Sequence, residues 1–372
     1  MSERRRIFYG WWVVAGLFTI GMFGPLGRYC VTAFLPFLSA ELGWSRASIG
    51  LGQSVTLWMY AFFVLLSGSM VDRIGSRKTF FIGGIVTLIG WMLLSTIKTH
   101  WQFYLYYGVL MALAVAMTHA VPLLSTSRKW FSKRAGLVAG ITAAAFAAGT
   151  SIFMPVMTGM ADLYGWRFSS LICGISFGTI IMLVAFFVIR DTPESMGLYP
   201  DGEDEALSYG CDSSAISGPS CTVKEAVKTP QLWLLFIAYS MIGIPLQGVL
   251  ASIVVWGVDL GSTKATAGLF MTALLVPSIA SKIGGGWLGD KYGKGRLIFI
   301  ASILGMLVMF YGWQTVHTQQ SLTVFAILMG ITYGMPFALF TPYLGDLFGR
   351  AYVGRFLAFL PWDMDSLEVV AL

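Results

Sequence analysis

Two cations interrupt long apolar runs in this chain, Arg28 near its start and Lys282 far downstream, and His119 interrupts a third. An ionised side chain in such a run is costly and is tolerated where it faces a cavity or a partner. None of the 18 Asp and Glu residues lies at comparable depth; all sit at the ends of apolar runs or between them. An interior with cations and no matching acids favours anions, and carboxylates are the natural class. Lys282 stands eight residues before Asp290, about 12 Å along a helix from that end. The competing reading is that both long side chains snorkel to an interface. His119 is a candidate substrate ligand or proton carrier, or a packing histidine. Tyr29, Gln53, Gln247 and Tyr333 are further polar groups that either line a path or bond one helix to another.

The second constellation is a doubled motif. Gly68-Ser-Met-Val-Asp72-Arg73-Ile-Gly75-Ser-Arg77-Lys78 is echoed by Gly286-Trp-Leu-Gly-Asp290-Lys291-Tyr-Gly293-Lys294-Gly295-Arg296. Its glycines permit a tight turn and close helix approach. Its acids, at helix ends, can pair with Arg or Lys or cap a neighbouring helix N-terminus. One copy reads as a solvated basic loop; two copies at equivalent places read as a gating or stabilising device, with Gly68, Asp72, Arg73, Gly75, Arg77, Asp290, Lys291, Gly293 and Arg296 as its parts.

Enzyme motifs fail. Gly174-Ile-Ser176-Phe-Gly178 matches G-x-S-x-G but falls mid-run, without the strand–turn–helix that motif needs. It reads as a small-residue packing face, as does Gly136…Gly140. No HExxH and no P-loop occur, so no metal or other cofactor is expected. Cysteines without a CxxC read as free thiols.

The elements that hold these residues follow from composition. The chain has 372 residues, 56% hydrophobic and 11% charged, with mean hydropathy +0.75, against about 25% charged in a soluble domain. Lipid is the expected solvent. Apolar segments at 9–38, 48–70, 79–97, 101–125, 135–160, 168–189, 231–257, 265–288, 297–314 and 321–345 are each near the ~20 residues that cross a bilayer. With the N-terminus inside, 18 of the 24 Lys and Arg residues fall on the cytoplasmic side and 4 on the other, the asymmetry the positive-inside rule requires. Scattered in this way, the basic residues form no nucleic-acid face. Residues 191–229, rich in turn formers and acids, read as a cytoplasmic linker between an N-terminal six-helix bundle (1–190) and a C-terminal bundle (230–372). The latter holds four spans and the start of an eleventh. Where the first half has two more helices, the second gives Pro361-Trp-Asp363-Met-Asp365, so the expectation is ten spans of twelve, through truncation or a frameshifted tail. Two parallel halves with a cytoplasmic linker match the major facilitator layout.

Taken together the sequence resembles the major facilitator superfamily, in its monocarboxylate transporter and oxalate–formate antiporter branch. The stretches that carry the resemblance are Phe8-Tyr-Gly-Trp-Trp-Val, Glu41-Leu-Gly-Trp-Ser-Arg-Ala, Lys129-Trp-Phe-Ser-Lys-Arg-Ala-Gly136 and Gly165-Trp-Arg167. Pro193-Glu-Ser-Met-Gly-Leu-Tyr-Pro-Asp-Gly202, Lys224-Glu-Ala-Val-Lys-Thr-Pro-Gln-Leu-Trp233 and Asp346-Leu-Phe-Gly-Arg350 complete them. The resemblance implies alternating access by two rocking bundles. Lys282 takes the place of the branch's substrate-gripping basic residue, usually arginine, and Ser278 stands where proton-coupled members carry an acid. Arg28 lies near the branch's first-helix basic position. The expected function is secondary transport of a small mono- or dicarboxylate, with a coupled proton or counter-anion, by a multi-pass protein of the cell membrane. Lipid and the anion are its partners, and nucleic acid is not. Rival readings are export of a larger amphipathic compound, or a non-transporting truncated carrier or membrane sensor.

Overall fold

The computed structural model describes residues 8–202, 228–262 and 264–348. Among these the chain is helical, with no strand. The first apolar segment is two helices, α1 (Gly10–Phe23) and α2 (Leu26–Leu42), broken at Gly24-Pro25. Then follow α3 (Arg46–Ile74) and α4 (Ser76–Leu94). The fourth segment comprises α5 (His100–Phe103), a π-helical stretch (Tyr104–Met111), α6 (Ala112–Thr118) and α7 (Ala120–Trp130). Next come α8 (Ala135–Tyr164) and α9 (Trp166–Phe187), and beyond the linker α10 (Pro230–Asp259), α11 (Lys264–Tyr292), α12 (Lys294–Thr315) and α13 (Gln319–Phe348). All ten expected segments are helical. Among the described residues 9 helices are long and apolar enough to cross a membrane, and α10 is a tenth long helix.

Local chemistry sets the ends. The Ser45 hydroxyl caps α3 by accepting from the Ser48 N–H, and Thr99 with Gln102 forms a reciprocal capping box before the fourth segment, satisfying N–H groups that have no intrahelical partner. Gly75 (φ +89) and Gly293 (φ +94) are one-residue corners joining α3 to α4 and α11 to α12. A Cβ would strain that left-handed backbone, so the doubled motif places glycine at the same joint twice.

Buried apolar side chains gather in four clusters, three of them built from residues 8–198. The fourth lies within residues 239–337 apart from Ala147 of α8. Small residues let the helices meet. A Cβ on Gly174 or Gly178 would press into the Trp91 or Leu88 side chain, so α9 lies directly against α4. At Gly136, Gly140 and Gly286 a Cβ would overlap the facing backbone, so α8 and α11 touch main chain to main chain. Both small-residue faces seen in the sequence therefore pack helices, as expected. One joins elements of the first half; the other joins the two halves.

Candidate functional site

α11 delivers Lys282 to the place where it meets α8 and α13. The side chain is fully buried. Its Nζ lies 5.1 Å from the ring centres of both Tyr333 and Phe337 on α13 and 5.9 Å from that of Phe146 on α8. Aromatic rings attract an ammonium by about 0.5–2 kcal/mol each, most when water is excluded, which offsets part of the cost of desolvating it. Ser278, one turn earlier on α11, is also buried, and its hydroxyl donates to the Leu275 carbonyl at 2.7 Å.

His119 occupies the break between α6 and α7. Its backbone is extended (φ −115, ψ −157), so the fourth helix stops and restarts around it. The imidazole is buried, with its ring centre 5.6 Å from that of Phe146. A small cavity lies here, lined by Gly21, His119, Leu123, Thr142, Phe146 and Phe337. Phe146 and Phe337 thus face both the Lys282 ammonium and this cavity, so Lys282, Tyr333 and His119 belong to one neighbourhood. The two phenylalanines were not legible as site residues, because aromatic side chains are common throughout such helices.

Arg28 is buried in a different setting. Its guanidinium lies 5.7 Å from the Tyr60 ring centre, and its carbonyl accepts the Tyr107 hydroxyl at 2.6 Å. These neighbours belong to α3 and the π-helical stretch. Both cations are buried. Gln53 is half-buried on α3; the side chains of Tyr29 and Gln247 lie outside the described residues.

The doubled motif forms a second assembly at the basic end of the helices. The Asp290 carboxylate accepts the N–H groups of Gly136 (2.8 Å) and Leu137 (2.9 Å), in the first turn of α8. That turn has no capping side chain of its own, so the cap comes from the other half, and a carboxylate there also complements the helix dipole. Beside it, Arg128 at the end of α7 pairs with Asp346 at the end of α13, and Lys294 Nζ reaches Asp346 at 2.6 Å. Arg128 is 3% exposed and the Asp346 side chain 41%. Burial raises the Asp346 pKa, but Arg128 and Lys294 outweigh it and hold the carboxyl below its ordinary value. Of the first copy of the motif, Arg77 donates its backbone N–H to Asp191 (2.9 Å) and its guanidinium to the Phe186 carbonyl (2.7 Å). Gly68 is buried and Asp72 half-buried, while Arg73, Lys291 and Arg296 are exposed. The linker residue Asp201 accepts the N–H groups of Ser132 and Lys133, each at 2.8 Å. Sequence reading missed Arg128, Asp346, Asp191 and Asp201 as partners, since each pairs across a long stretch of chain.

At the opposite end Glu41 accepts from Trp166 Nε1 (2.6 Å) and Arg167 Nε (2.8 Å). The Arg167 hydrogen bond lowers the Glu41 pKa against the raising effect of burial, with Trp166 helping. Trp101 is exposed, while Trp44 is buried and stacks on His100 at 4.2 Å.

Comparison with known proteins places this architecture. The profile of the Major Facilitator Superfamily matches residues 17–361. The oxalate:formate antiporter of Oxalobacter formigenes is 24% identical over 335 residues, covering 88% of this chain and 75% of that protein. Monocarboxylate transporter 4 of Gallus gallus is 25% identical over 342 residues, covering 89% and 68%. In fold, the chain resembles the solved structure of the major facilitator superfamily proton:xylose symporter XylE bound to 6-bromo-6-deoxy-D-glucose. The TM-score is 0.70 at 13% identity, over 95% of this chain and 88% of that one.

Proposed function

The chain belongs to the Major Facilitator Superfamily and is a multi-pass membrane transporter, and from that premise we propose that it carries a small organic anion, a mono- or dicarboxylate, by alternating access. The observation that carries this reading is the buried Lys282 ammonium at the meeting of α8, α11 and α13, beside the cavity at His119. A carboxylate entering there gains a charge-assisted bond in a water-poor setting, where such bonds are strong. Relatives named as an oxalate:formate antiporter and a monocarboxylate transporter support the class. The two bundles, 1–190 and 230–372, are the rocking units, and the basic end is cytoplasmic. On this reading the Asp290 cap and the Arg128–Asp346 pair close the cytoplasmic side in the conformation described here. Arg28 stabilises the first bundle and adds positive potential, and His119 and Tyr333 shape the site.

The test is uptake of labelled formate, oxalate, lactate and larger acids into proteoliposomes, with and without a pH gradient or an internal counter-anion. Lys282→Ala should reduce uptake of the preferred acid by about a hundredfold, the scale of losing a hydrogen bond to a charged group. Lys282→Arg should retain a substantial fraction. Uptake that is indifferent to both substitutions would sink the reading.

A further inference from the structure

The sequence Pro193-Glu-Ser-Met-Gly-Leu-Tyr-Pro-Asp-Gly202 has no part in the anion site, yet its last turns are folded tightly against the first half. Leu198 packs into the cluster of Val13, Trp130 and Phe131, and the Trp130 indole N–H donates to the Arg190 carbonyl at 3.1 Å. Asp201 is the strained member. It is the one non-glycine described residue with positive φ (62°), a conformation that non-glycine residues adopt at a cost and that marks places where surroundings over-determine the backbone. Its Oδ2 accepts both the Ser132 and Lys133 N–H groups. Its Oδ1 is buried and takes no hydrogen bond among the described residues.

The position of that turn matters. Ser132 and Lys133 lie in the four-residue connection between α7 and α8. On one side of it stands Arg128, which pairs with Asp346; on the other stand Gly136 and Leu137, which Asp290 caps. These two polar docking points between the halves therefore flank a turn held by a linker carboxylate. We propose that Asp201 is a positioning residue for closure at the basic end: it fixes the spacing between the α7 terminus and the α8 terminus, so that Asp346 and Asp290 engage together. Without it each contact must order the turn for itself, and the closed conformation loses population. When the second half swings away, Asp201 remains with the first half and keeps the receiving surface formed.

The experiment reads conformation and needs no substrate, so its failure leaves the Lys282 reading untouched. Spin labels replace Lys78 and Tyr292, both exposed, in protein whose other cysteines are replaced, and the distance distribution reports closed and open populations in nanodiscs. Asp201→Ala should lower the closed-to-open ratio about threefold or more; Asp201→Asn, which keeps a carbonyl acceptor and tolerates positive φ, should stay near wild type. Asp201→Gly removes the acceptor while relieving the backbone, and should reproduce the alanine shift in protein that still unfolds cooperatively. Combined with Asp290→Ala, the Asp201→Ala effect should shrink to below about 1.5-fold, since residues serving one contact are not additive. An unchanged distribution in the glycine variant, or effects that multiply independently with Asp290→Ala, would overturn the proposal.

Discussion

At the scale of single residues, the molecule separates a cation held among apolar helices from charges that fasten helix ends to one another. Lys282 is buried among rings, and the acids cluster at helix ends, where Asp346 is the most informative. Its pKa is held below the ordinary carboxylate value by Arg128 and Lys294 against the effect of burial. A lowered pKa in the closed state means that the pairing contributes fully above the ordinary value, about 3.9, and is lost as pH falls through the lowered one. The contribution of Asp346 to closure should therefore be unchanged from neutrality down to about 4 and should weaken only below that. Asp346→Asn should show the weakened state at every pH. Because solvent reaches the Asp346 side chain, the shift should be about 1 kcal/mol, roughly fivefold in the closed-to-open ratio. The same labelled pair measures it; an Asp346→Asn shift that shrank between pH 7 and 5 would contradict it. Lys282, Arg28 and His119 were visible in the sequence because a charge within an apolar run is anomalous. Arg128 and Asp346 were not, because a charge at the end of a run is ordinary and nothing local links two residues 218 positions apart.

At the scale of elements, two glycine faces make one contrast. Gly178 seats α9 against Leu88 of α4 within the first half, and Gly286 seats α11 against α8 between the halves. A methyl at the first has nowhere to go in either conformation. Gly178→Ala should lower stability by about 1–3 kcal/mol, the usual cost of overpacking, read as a lower unfolding temperature with the conformational balance unchanged. Gly286→Ala should do the reverse, leaving the unfolding temperature nearly unaltered while driving the labelled pair toward the open distance. Equal effects of the two substitutions on either readout would refute this division. The helices themselves were legible from apolar runs, turn glycines and caps, because lipid demands that backbone groups be satisfied within a segment. The breaks carry signals as well: Gly24-Pro25 marks the first, and Pro122 the second, since its ring and missing N–H oppose the carbonyl of Thr118 four residues earlier, just where the backbone becomes extended at His119. Gly24 also packs directly on Thr118.

At the scale of the whole molecule, the buried lysine has an electrical consequence. Lys282 belongs to a candidate membrane span, Leu269–Tyr292, and is buried there. On the proposed function, a bound monovalent anion subtracts one elementary charge from the site, so loaded and empty carriers cross the field with net charges that differ by one, and each elementary charge moved fully across is worth about 2.3 kcal/mol per 100 mV. One-for-one exchange uses the loaded carrier in both directions and moves no net charge, whereas net uptake must send the empty carrier back. In vesicles clamped with potassium and valinomycin, net uptake should respond steeply to membrane potential while homoexchange stays flat.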